Sequence, residues 1–211
     1  MFSVIFDMDG TLLDTQRICI PAWEHSGKLQ GVNGLGEVVR RICGMNEIGW
    51  TAYLQEHFPT LDIVAFKAEM REYIIKNGTV RFKDGAKELL EYLKSKGIKC
   101  AIASGSSRKT IEQHLNEVNA THYFEAAVGG IDVKNGKPAP DIFLLAAEKL
   151  GANPCDCFVF EDSPNGMKAG FNAGMKCIGV PDIVTFSDDT KKMMFAELTS
   201  LDQAIEIFEK L

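Results

Sequence analysis

The stretch VIFDMDGTLLDT, residues 4–15, decides the fold of this 211-residue chain. Three apolar residues lead directly into Asp7, and Asp9 and Gly10 follow within three positions. A short apolar run of this kind predicts a strand that is buried on both faces, as in a parallel sheet covered by helices. In an open α/β sheet, ligands bind beyond the carboxyl ends of the strands. The two aspartates therefore stand where such a sheet would bind its ligand.

The sequence after residue 82 repeats one pattern, in which short apolar runs alternate with segments of helical period. Residues 84–97, DGAKELLEYLKSKG, place Leu89, Leu90 and Leu93 on one helical face, and the run IKCAIAS follows. Further alternations lead through CFVF and KCIGV to a last helical segment near the C-terminus. Strands and helices in this order pair in parallel through right-handed crossovers, so we predict an α/β fold with a doubly wound, Rossmann-like parallel sheet.

Residues 16–80 differ from the rest of the chain in residue types and in hydrophobic periodicity. They contain aromatic residues, several glycines and helical periods, but no alternation typical of a strand. We interpret them as a small α-helical cap domain inserted after the first strand. Residues 1–15 and 81–211 would then form the core domain.

Composition restricts the possible partners. The formal net charge is −6 and the sequence pI is about 5.3, so the chain lacks the basic surface of a nucleic-acid-binding protein. No apolar run approaches the ~20 residues of a spanning helix, and the first strand begins too near Met1 to leave room for a secretory signal. The six cysteines lie mostly inside apolar segments and are interpreted as free thiols. We expect a cytoplasmic monomer that binds neither nucleic acid nor a membrane.

Polar residues follow several of the predicted strands at the point where each strand ends. They are Asp7 after VIF, Ser104, Gly105 and Ser106 after CAIA, and Glu161 and Asp162 after CFVF, with Lys137 in the loop KNGKPAPD. Carboxylates from two strands would repel each other in one cleft unless a divalent cation lay between them, and oxygen ligands without His or Cys favour Mg²⁺. A lysine and backbone amides nearby would bind a phosphate group.

Four motifs carry a resemblance to a known family: DMDGT, IASGS, KPAPD and FEDSPNG. In order and spacing they resemble the motifs of the haloacid dehalogenase-like superfamily of phosphotransferases, and most of all the β-phosphoglucomutase-like phosphatases with a helical cap. The resemblance covers essentially the whole chain. It implies an enzyme that hydrolyses a small phosphorylated metabolite, such as a sugar phosphate, with Mg²⁺ as its cofactor.

The resemblance also implies roles for individual residues. Asp7 would be the nucleophile that forms an aspartyl-phosphate, and Asp9 would be the general acid and base. The metal would be held by Asp7, Asp162 and the backbone carbonyl of Asp9, with support from Glu161. The phosphoryl oxygens would be bound by Ser104 and Lys137, and the further phosphate-binding candidates are Thr11, Gly105 and Ser106. We also expect the Thr11 side chain to orient Asp9, so that the turn at Gly10 holds two carboxylates with different tasks.

The inserted segment departs from the pattern of the β-phosphoglucomutases at three positions. The mutase histidine falls on Cys19, the lysine on Cys43, and the arginine that binds a second phosphate falls near Glu47. An acidic residue there would repel a second phosphate, so we favour a phosphatase. A β-phosphoglucomutase remains the alternative because Arg40 and Arg41 lie close by. A catalytically silent binding protein is disfavoured, because it would lack a residue needed for the chemistry, and none of Asp7, Asp9, Lys137 and Asp162 is missing.

Overall fold

The computed structural model describes residues 2–211, and a parallel sheet lies at its centre. Its six strands are arranged in the order β3-β2-β1-β4-β5-β6, and every neighbouring pair is parallel. The strands are β1 (Ser3–Phe6), β2 (Cys100–Ser104), β3 (Ala126–Gly129), β4 (Cys157–Glu161), β5 (Lys176–Gly179) and β6 (Met194–Glu197). The predicted doubly wound α/β fold is confirmed, and β1 lies between the two halves of the sheet.

Ten α-helices accompany the sheet in the part of the chain that the structure describes. Four of them follow β1: α1 (Gln16–Leu29), α2 (Leu35–Ile42), α3 (Glu47–His57) and α4 (Ile63–Asn77). The others are α5 (Ala86–Ser95), α6 (Arg108–Glu117), α7 (Asp141–Leu150), α8 (Pro164–Asn172), α9 (Asp188–Lys191) and α10 (Ala204–Phe208). We call α1–α4 the helical insertion.

The sheet is buried on both faces, as its apolar strands predict. Along β1, Val4 and Phe6 belong to one hydrophobic cluster and Ile5 belongs to another, because successive side chains of a strand point to opposite faces. The first cluster packs against α5 and α10, and the second against α7. β1 is buried along its whole length as a result.

The helical insertion has a hydrophobic cluster of its own, built around Trp23, Leu35, Leu54 and Phe66. The rings of Trp23 and Phe66 meet edge to face with centroids 5.1 Å apart. Amphipathic helices bury their apolar faces against one another in this way.

Two short linkers connect the helical insertion to the sheet, and they run side by side. Asp14 N–H donates to the carbonyl of Arg81 at 2.9 Å, and Lys83 N–H donates to the carbonyl of Leu12 at 2.9 Å. Leu13 and Phe82 pair in antiparallel register between these bonds. The chain therefore leaves the sheet and returns to it at nearly the same place.

Strand β6 is a feature that the sequence pattern did not indicate. Its four residues, MFAE, alternate between half-buried and exposed at the edge of the sheet. A strand with one covered face and so few residues gives a weak periodic signal.

Among the helices of residues 2–211, none has both the length and the apolar character needed to cross a membrane.

Candidate active site

The turn after β1 brings Asp7 and Asp9 to the carboxyl edge of the sheet. Asp7 N–H extends the pairing with β4 by donating to the carbonyl of Phe160 at 3.0 Å. The chain then folds back at Gly10, which has φ +89°, a value that favours glycine. A Cβ at Gly10 would collide with the carboxylate of Asp162. The glycine thus allows the first aspartate motif to approach the carboxylates at the end of β4.

The end of β4 and the start of α8 hold Glu161 and Asp162 in place. Ser163 caps α8 by accepting a hydrogen bond from Gly166 N–H, and Pro164 occupies the first helical position. Oε2 of Glu161 accepts hydrogen bonds from Ser163 N–H at 3.0 Å and from Ser163 Oγ at 2.9 Å. The helix cap and the carboxylate therefore fix each other.

Three carboxylates and one ammonium group converge below the cavity. One oxygen each from Asp7, Glu161 and Asp162 lies within 4.8 Å of the others, and all three residues are buried. Lys137 Nζ donates to Asp7 Oδ1 at 2.5 Å and to Glu161 Oε1. Its side chain is only 2% exposed. With three acids and one base, the cluster carries an excess of buried negative charge when all groups are ionised.

The pKa values of two of these acids, Asp7 and Asp162, are raised. Burial raises the pKa of Asp7 to about 8, and the attraction of Lys137 only partly offsets it, while the nearby Glu161 and Asp9 raise it further. Burial, together with Glu161 and Asp7, also raises the pKa of Asp162 well above its usual range. The pKa of Lys137 is raised despite its burial, because Asp7 and Glu161 favour its charged form. The ammonium alone does not neutralise the carboxylates.

The cluster fits a divalent cation of the magnesium type. Its donors are carboxylate oxygens, which Mg²⁺ prefers, and a 2+ charge would relieve the repulsion between Asp7 and Asp162. The oxygens of Glu161 already accept bonds from Lys137 and Ser163. Glu161 is thus placed to hold Lys137 and the start of α8 rather than to face the cavity.

Asp9 has a different environment, made of neutral hydroxyl groups. Oδ1 accepts a hydrogen bond from Thr15 Oγ1 at 2.9 Å. Oδ2 accepts hydrogen bonds from Ser104 Oγ at 3.0 Å and from Ser106 Oγ at 2.8 Å. Both serine hydroxyls were predicted to bind phosphate, and in this structure they bind the second aspartate. The Asp9 backbone carbonyl faces the side-chain amide of Gln16 at 3.4 Å.

The expectation that Thr11 orients Asp9 is wrong. Thr11 is fully buried, and its hydroxyl donates to Asp162 Oδ1 at 3.2 Å. The reversal at Gly10 turns Thr11 inward toward β4, and Thr15, directly before α1, comes back over Asp9 instead. Thr11 supports the carboxylate cluster, and Thr15 takes the predicted orienting contact.

A cavity of about 360 Å³ lies between this edge of the sheet and the helical insertion. Its floor is formed by Asp7, Asp9, Asp162 and the segment 104–107. The walls from the helical insertion are largely apolar; they include Ile18, Trp23, Val39, Ile42, Met45, Trp50, Ile74 and Ile75. Charged side chains contributed by the helical insertion are Glu47 and Arg71.

Some of the residues that were used to distinguish a phosphatase from a mutase line the cavity, and others do not. Cys19, Cys43 and Glu47 all line the cavity, and Glu47 pairs with Lys67 at 2.8 Å. Arg40 instead donates to Glu37 at 3.2 Å and to the carbonyl of Ile183. Neither Arg40 nor Arg41 is among the residues that line the cavity.

Comparisons with known proteins agree with this geometry. Residues 4–180 match the model of the haloacid dehalogenase-like hydrolase family. The chain belongs to that family. A phosphorylated carbohydrates phosphatase from Thermotoga maritima is 34% identical over 214 residues, which cover 100% of this chain and 98% of that protein. The fructose-1-phosphate phosphatase YqaB from Escherichia coli is 33% identical over 184 residues, which cover 84% of this chain and 95% of that protein.

The fold is also that of the phosphoglucomutase-like branch of haloacid dehalogenase-like hydrolases. The crystal structure of a β-phosphoglucomutase from Clostridium difficile has a TM-score of 0.82 at 24% identity, with coverage of 100% of this chain and 96% of that chain. The resemblance inferred from the four motifs is confirmed, and the protein is an enzyme of this hydrolase family.

Several polar residues that line this hydrolase's cavity escaped the sequence analysis, among them Thr15, Arg71 and His114. Thr15 was visible only as the end of the quoted motif, and its contact depends on how the turn folds back. Arg71 and His114 lie on α4 and α6, and both line the cavity. A single polar residue on an amphipathic helix gives no signal of its own, because the solvated face of such a helix is polar anyway.

Proposed function

We propose that this hydrolase is a magnesium-dependent phosphatase that acts on a small phosphorylated metabolite, a sugar phosphate, through an aspartyl-phosphate. The observation that carries the proposal is the contrast between two carboxylates on one turn. Asp7 is buried against Lys137 and further acids, whereas Asp9 is held by hydroxyl groups at the cavity. Two carboxylates in different environments suit a nucleophile and a general acid/base.

In the first step an oxygen of Asp7 attacks phosphorus, and the bond between phosphorus and the leaving oxygen breaks. Asp9 gives its proton to the leaving oxygen, so that an alcohol departs. Lys137 lies 2.5 Å from Asp7 Oδ1 and would bind a phosphoryl oxygen there. Ser104 and Ser106 would exchange their bonds to Asp9 for bonds to the phosphoryl group.

In the second step water hydrolyses the aspartyl-phosphate. Asp9, now ionised, takes a proton from the water as its oxygen bonds to phosphorus, and the bond from phosphorus to Asp7 breaks. The covalent intermediate divides one difficult displacement into two. Asp9 returns to its protonated form at the end of the cycle, ready for the next substrate.

A magnesium ion would be held by Asp7, Asp162 and the backbone carbonyl of Asp9, with Glu161 behind them. When bound, it supplies positive charge that neutralises the phosphoryl oxygens. Thr11 would fix Asp162 through its hydrogen bond of 3.2 Å. Lys137 would retain its position through Glu161.

The preference for a sugar phosphate is supported by size and by relatives. The cavity of about 360 Å³ suits a small metabolite rather than a macromolecule. The relatives from T. maritima and E. coli are named for phosphorylated carbohydrates and for fructose 1-phosphate. We propose that the helical insertion, residues 16–80, acts as a cap domain that covers this substrate and excludes water.

A β-phosphoglucomutase remains the second candidate, and one observation favours it. Arg71 lines the cavity from α4, so an arginine for a second phosphate is available at a position that the motifs did not suggest. Against it, Glu47 lines the same cavity, and Arg40 is engaged elsewhere. We therefore rank the phosphatase first and the silent binding protein last.

The experiment is an assay of phosphate release with Mg²⁺ across a panel of phosphorylated sugars and other small metabolites. β-Glucose 1-phosphate with a trace of glucose 1,6-bisphosphate is run beside it and assayed for glucose 6-phosphate. Free phosphate from one or a few compounds is expected. Glucose 6-phosphate without free phosphate would establish the mutase, and no turnover of either kind would overturn the proposal.

A further inference from the structure

His114 presents a buried nitrogen to Asp9 without reaching it. The residue lies in α6, and its side chain is 15% exposed. Its Nδ1 is buried and has no hydrogen-bond partner among residues 2–211. The nearest carboxylate oxygen is Asp9 Oδ1, at 4.0 Å. Most buried polar atoms in proteins are paired, so this nitrogen calls for an explanation.

The two oxygens of Asp9 have separate sets of neighbours. Thr15 Oγ1 and His114 Nδ1 lie on the side of Oδ1, at 2.9 Å and 4.0 Å. Ser104 and Ser106 both bind Oδ2. The groups proposed to bind phosphate therefore contact one oxygen only. The other oxygen faces groups that have no proposed contact with phosphate.

This division becomes important when a phosphate group enters. The two serines cannot keep all of their bonds to Asp9 while they donate to phosphoryl oxygens, because each hydroxyl has a single proton. Asp9 would then lose two of its three hydrogen bonds from side chains. Oδ2 would be free to carry the proton for the leaving oxygen, but the carboxyl group would be held by Thr15 alone.

We propose that His114 is a positioning residue for Asp9, an inference that rests on the proposed phosphatase function. When the serines turn to phosphate, a small movement closes the gap, and Nδ1–H donates to Asp9 Oδ1. Thr15 and His114 then hold one oxygen from two directions and leave Oδ2 directed at the leaving oxygen. His114 has no bond-making part in either step. It acts only through the orientation of the carboxyl group.

Two substitutions of His114 distinguish a donor at the position of Nδ1 from a donor at the position of Nε2. The amide nitrogen of Asn lies two bonds from Cβ, as Nδ1 does, whereas that of Gln lies three bonds away, as Nε2 does. His114→Asn therefore keeps a donor near Asp9, and His114→Gln removes it. His122→Gln is the matched control, because His122 is exposed and lies outside the cavity.

The dependence of the rate on the leaving group distinguishes a role in positioning Asp9 from a purely structural role. Departure of a sugar alkoxide needs the proton of Asp9, whereas p-nitrophenolate leaves readily without it. General acid/base groups contribute typically 10²–10⁴-fold, and a misplaced one loses part of that. For His114→Gln we expect single-turnover phosphoenzyme formation to fall by about tenfold or more with the best sugar phosphate of the panel. We expect the burst of p-nitrophenolate to change by less than about threefold.

The control results complete the test. His114→Asn is expected to retain most of the rate with the sugar phosphate, and His122→Gln should equal the wild type. Equal losses with both leaving groups, or no loss with either, would overturn the role of His114. A wild type that forms no phosphoenzyme from any sugar phosphate would instead overturn the proposed function on which this inference rests. Circular dichroism of each variant shows whether it is folded.

Discussion

Cys43 and Asp162 are joined by a hydrogen bond that links the helical insertion to the acidic cluster. The Cys43 thiol donates to Asp162 Oδ2, with 3.6 Å between sulfur and oxygen. Asn165 Nδ2 also donates to the carbonyl of Cys43 at 3.2 Å. Burial, followed by the nearby charge of Asp162, raises the pKa of the Cys43 thiol. The thiol therefore stays protonated and serves as a donor, not as a nucleophile.

The exposed thiol should react first with an alkylating reagent. Cys155 is exposed, whereas Cys43, Cys100 and Cys177 are buried. Burial raises the pKa of Cys177 to about 12. We expect iodoacetamide at pH 8 to label Cys155 at least tenfold faster than these buried thiols, as measured by peptide mass spectrometry. Cys155→Ser should remove the fast phase, and labelling of Cys43 at the rate of Cys155 would contradict its burial.

Asp7→Asn should abolish turnover, because an amide cannot serve as the nucleophile. The amide oxygen can still accept a hydrogen bond from Lys137, so the variant should remain folded. Steady-state phosphate release and acid-quench detection of the phosphoenzyme test this prediction. Activity close to that of the wild type would remove Asp7 from its assigned role.

The metal-free protein should lose stability between pH 4 and pH 8. The folded-state pKa of Asp7 is about 8, above the ~3.9 expected for an unfolded chain. The folded state then binds more protons than the unfolded state in this window, so the free energy of unfolding falls as pH rises. Melting temperatures in EDTA at pH 6 and pH 8 measure the slope. Asp7→Asn should flatten it, and an unchanged slope would exclude Asp7 as its source.

Magnesium should restore the stability that the metal-free protein loses as the pH approaches 8. Ionised carboxylates bind the cation, so its stabilising effect should be larger at pH 8 than at pH 6. The measurement is the shift in melting temperature on adding Mg²⁺ at each pH, with activity in EDTA followed in parallel. Full activity after removal of divalent cations would refute the dependence on magnesium.

Thr15→Val should slow catalysis through Asp9. The substitution keeps the shape of the side chain and removes the hydroxyl that donates to Asp9 Oδ1. General acid/base groups contribute typically 10²–10⁴-fold, and a misplaced one loses part of that, so we expect kcat to fall by about tenfold or more with little change in KM. Thr15→Ser retains the donor and should stay near the wild type. If both variants behave alike, the hydroxyl has no part in orienting Asp9.

Gly166→Ala should destabilise the protein by disturbing Glu161. A Cβ at Gly166 would collide with the Glu161 carboxylate, which holds Lys137 and the start of α8. Overpacking of this kind costs about 1–3 kcal/mol. Urea denaturation measures the free energy of unfolding, with Lys168→Ala on the exposed face of α8 as the control. A loss no larger than in the control would show that the cluster tolerates the added methyl group.

The sequence predicted the sheet well because its strands are apolar on both faces. β1 and β4 are buried throughout, and runs of that kind are visible without an alignment. β6 was missed because only one of its faces is covered. The order of the strands required the structure, since periodicity does not record which strands are neighbours.

The site was predictable where it depends on strand ends. The carboxyl edge of a parallel sheet brings the ends of β1, β2 and β4 together whatever the loops do, and Asp7, Ser104 and Asp162 meet there. Side-chain partners depend on finer geometry. Thr15 rather than Thr11 contacts Asp9 because of the direction of one turn. The position of His114 near Asp9 follows from the rotation of α6.

The paired linkers around Leu13 and Phe82 have a consequence for how this enzyme can change. Because the entry and exit of the helical insertion are hydrogen-bonded to each other, a different segment whose ends are equally close could replace residues 16–80 with little extra loss of chain entropy. The strands that carry Asp7 and Asp162 would keep their neighbours. If the proposed function holds, substrate choice and phosphoryl chemistry are thus encoded in pieces that can be inherited separately.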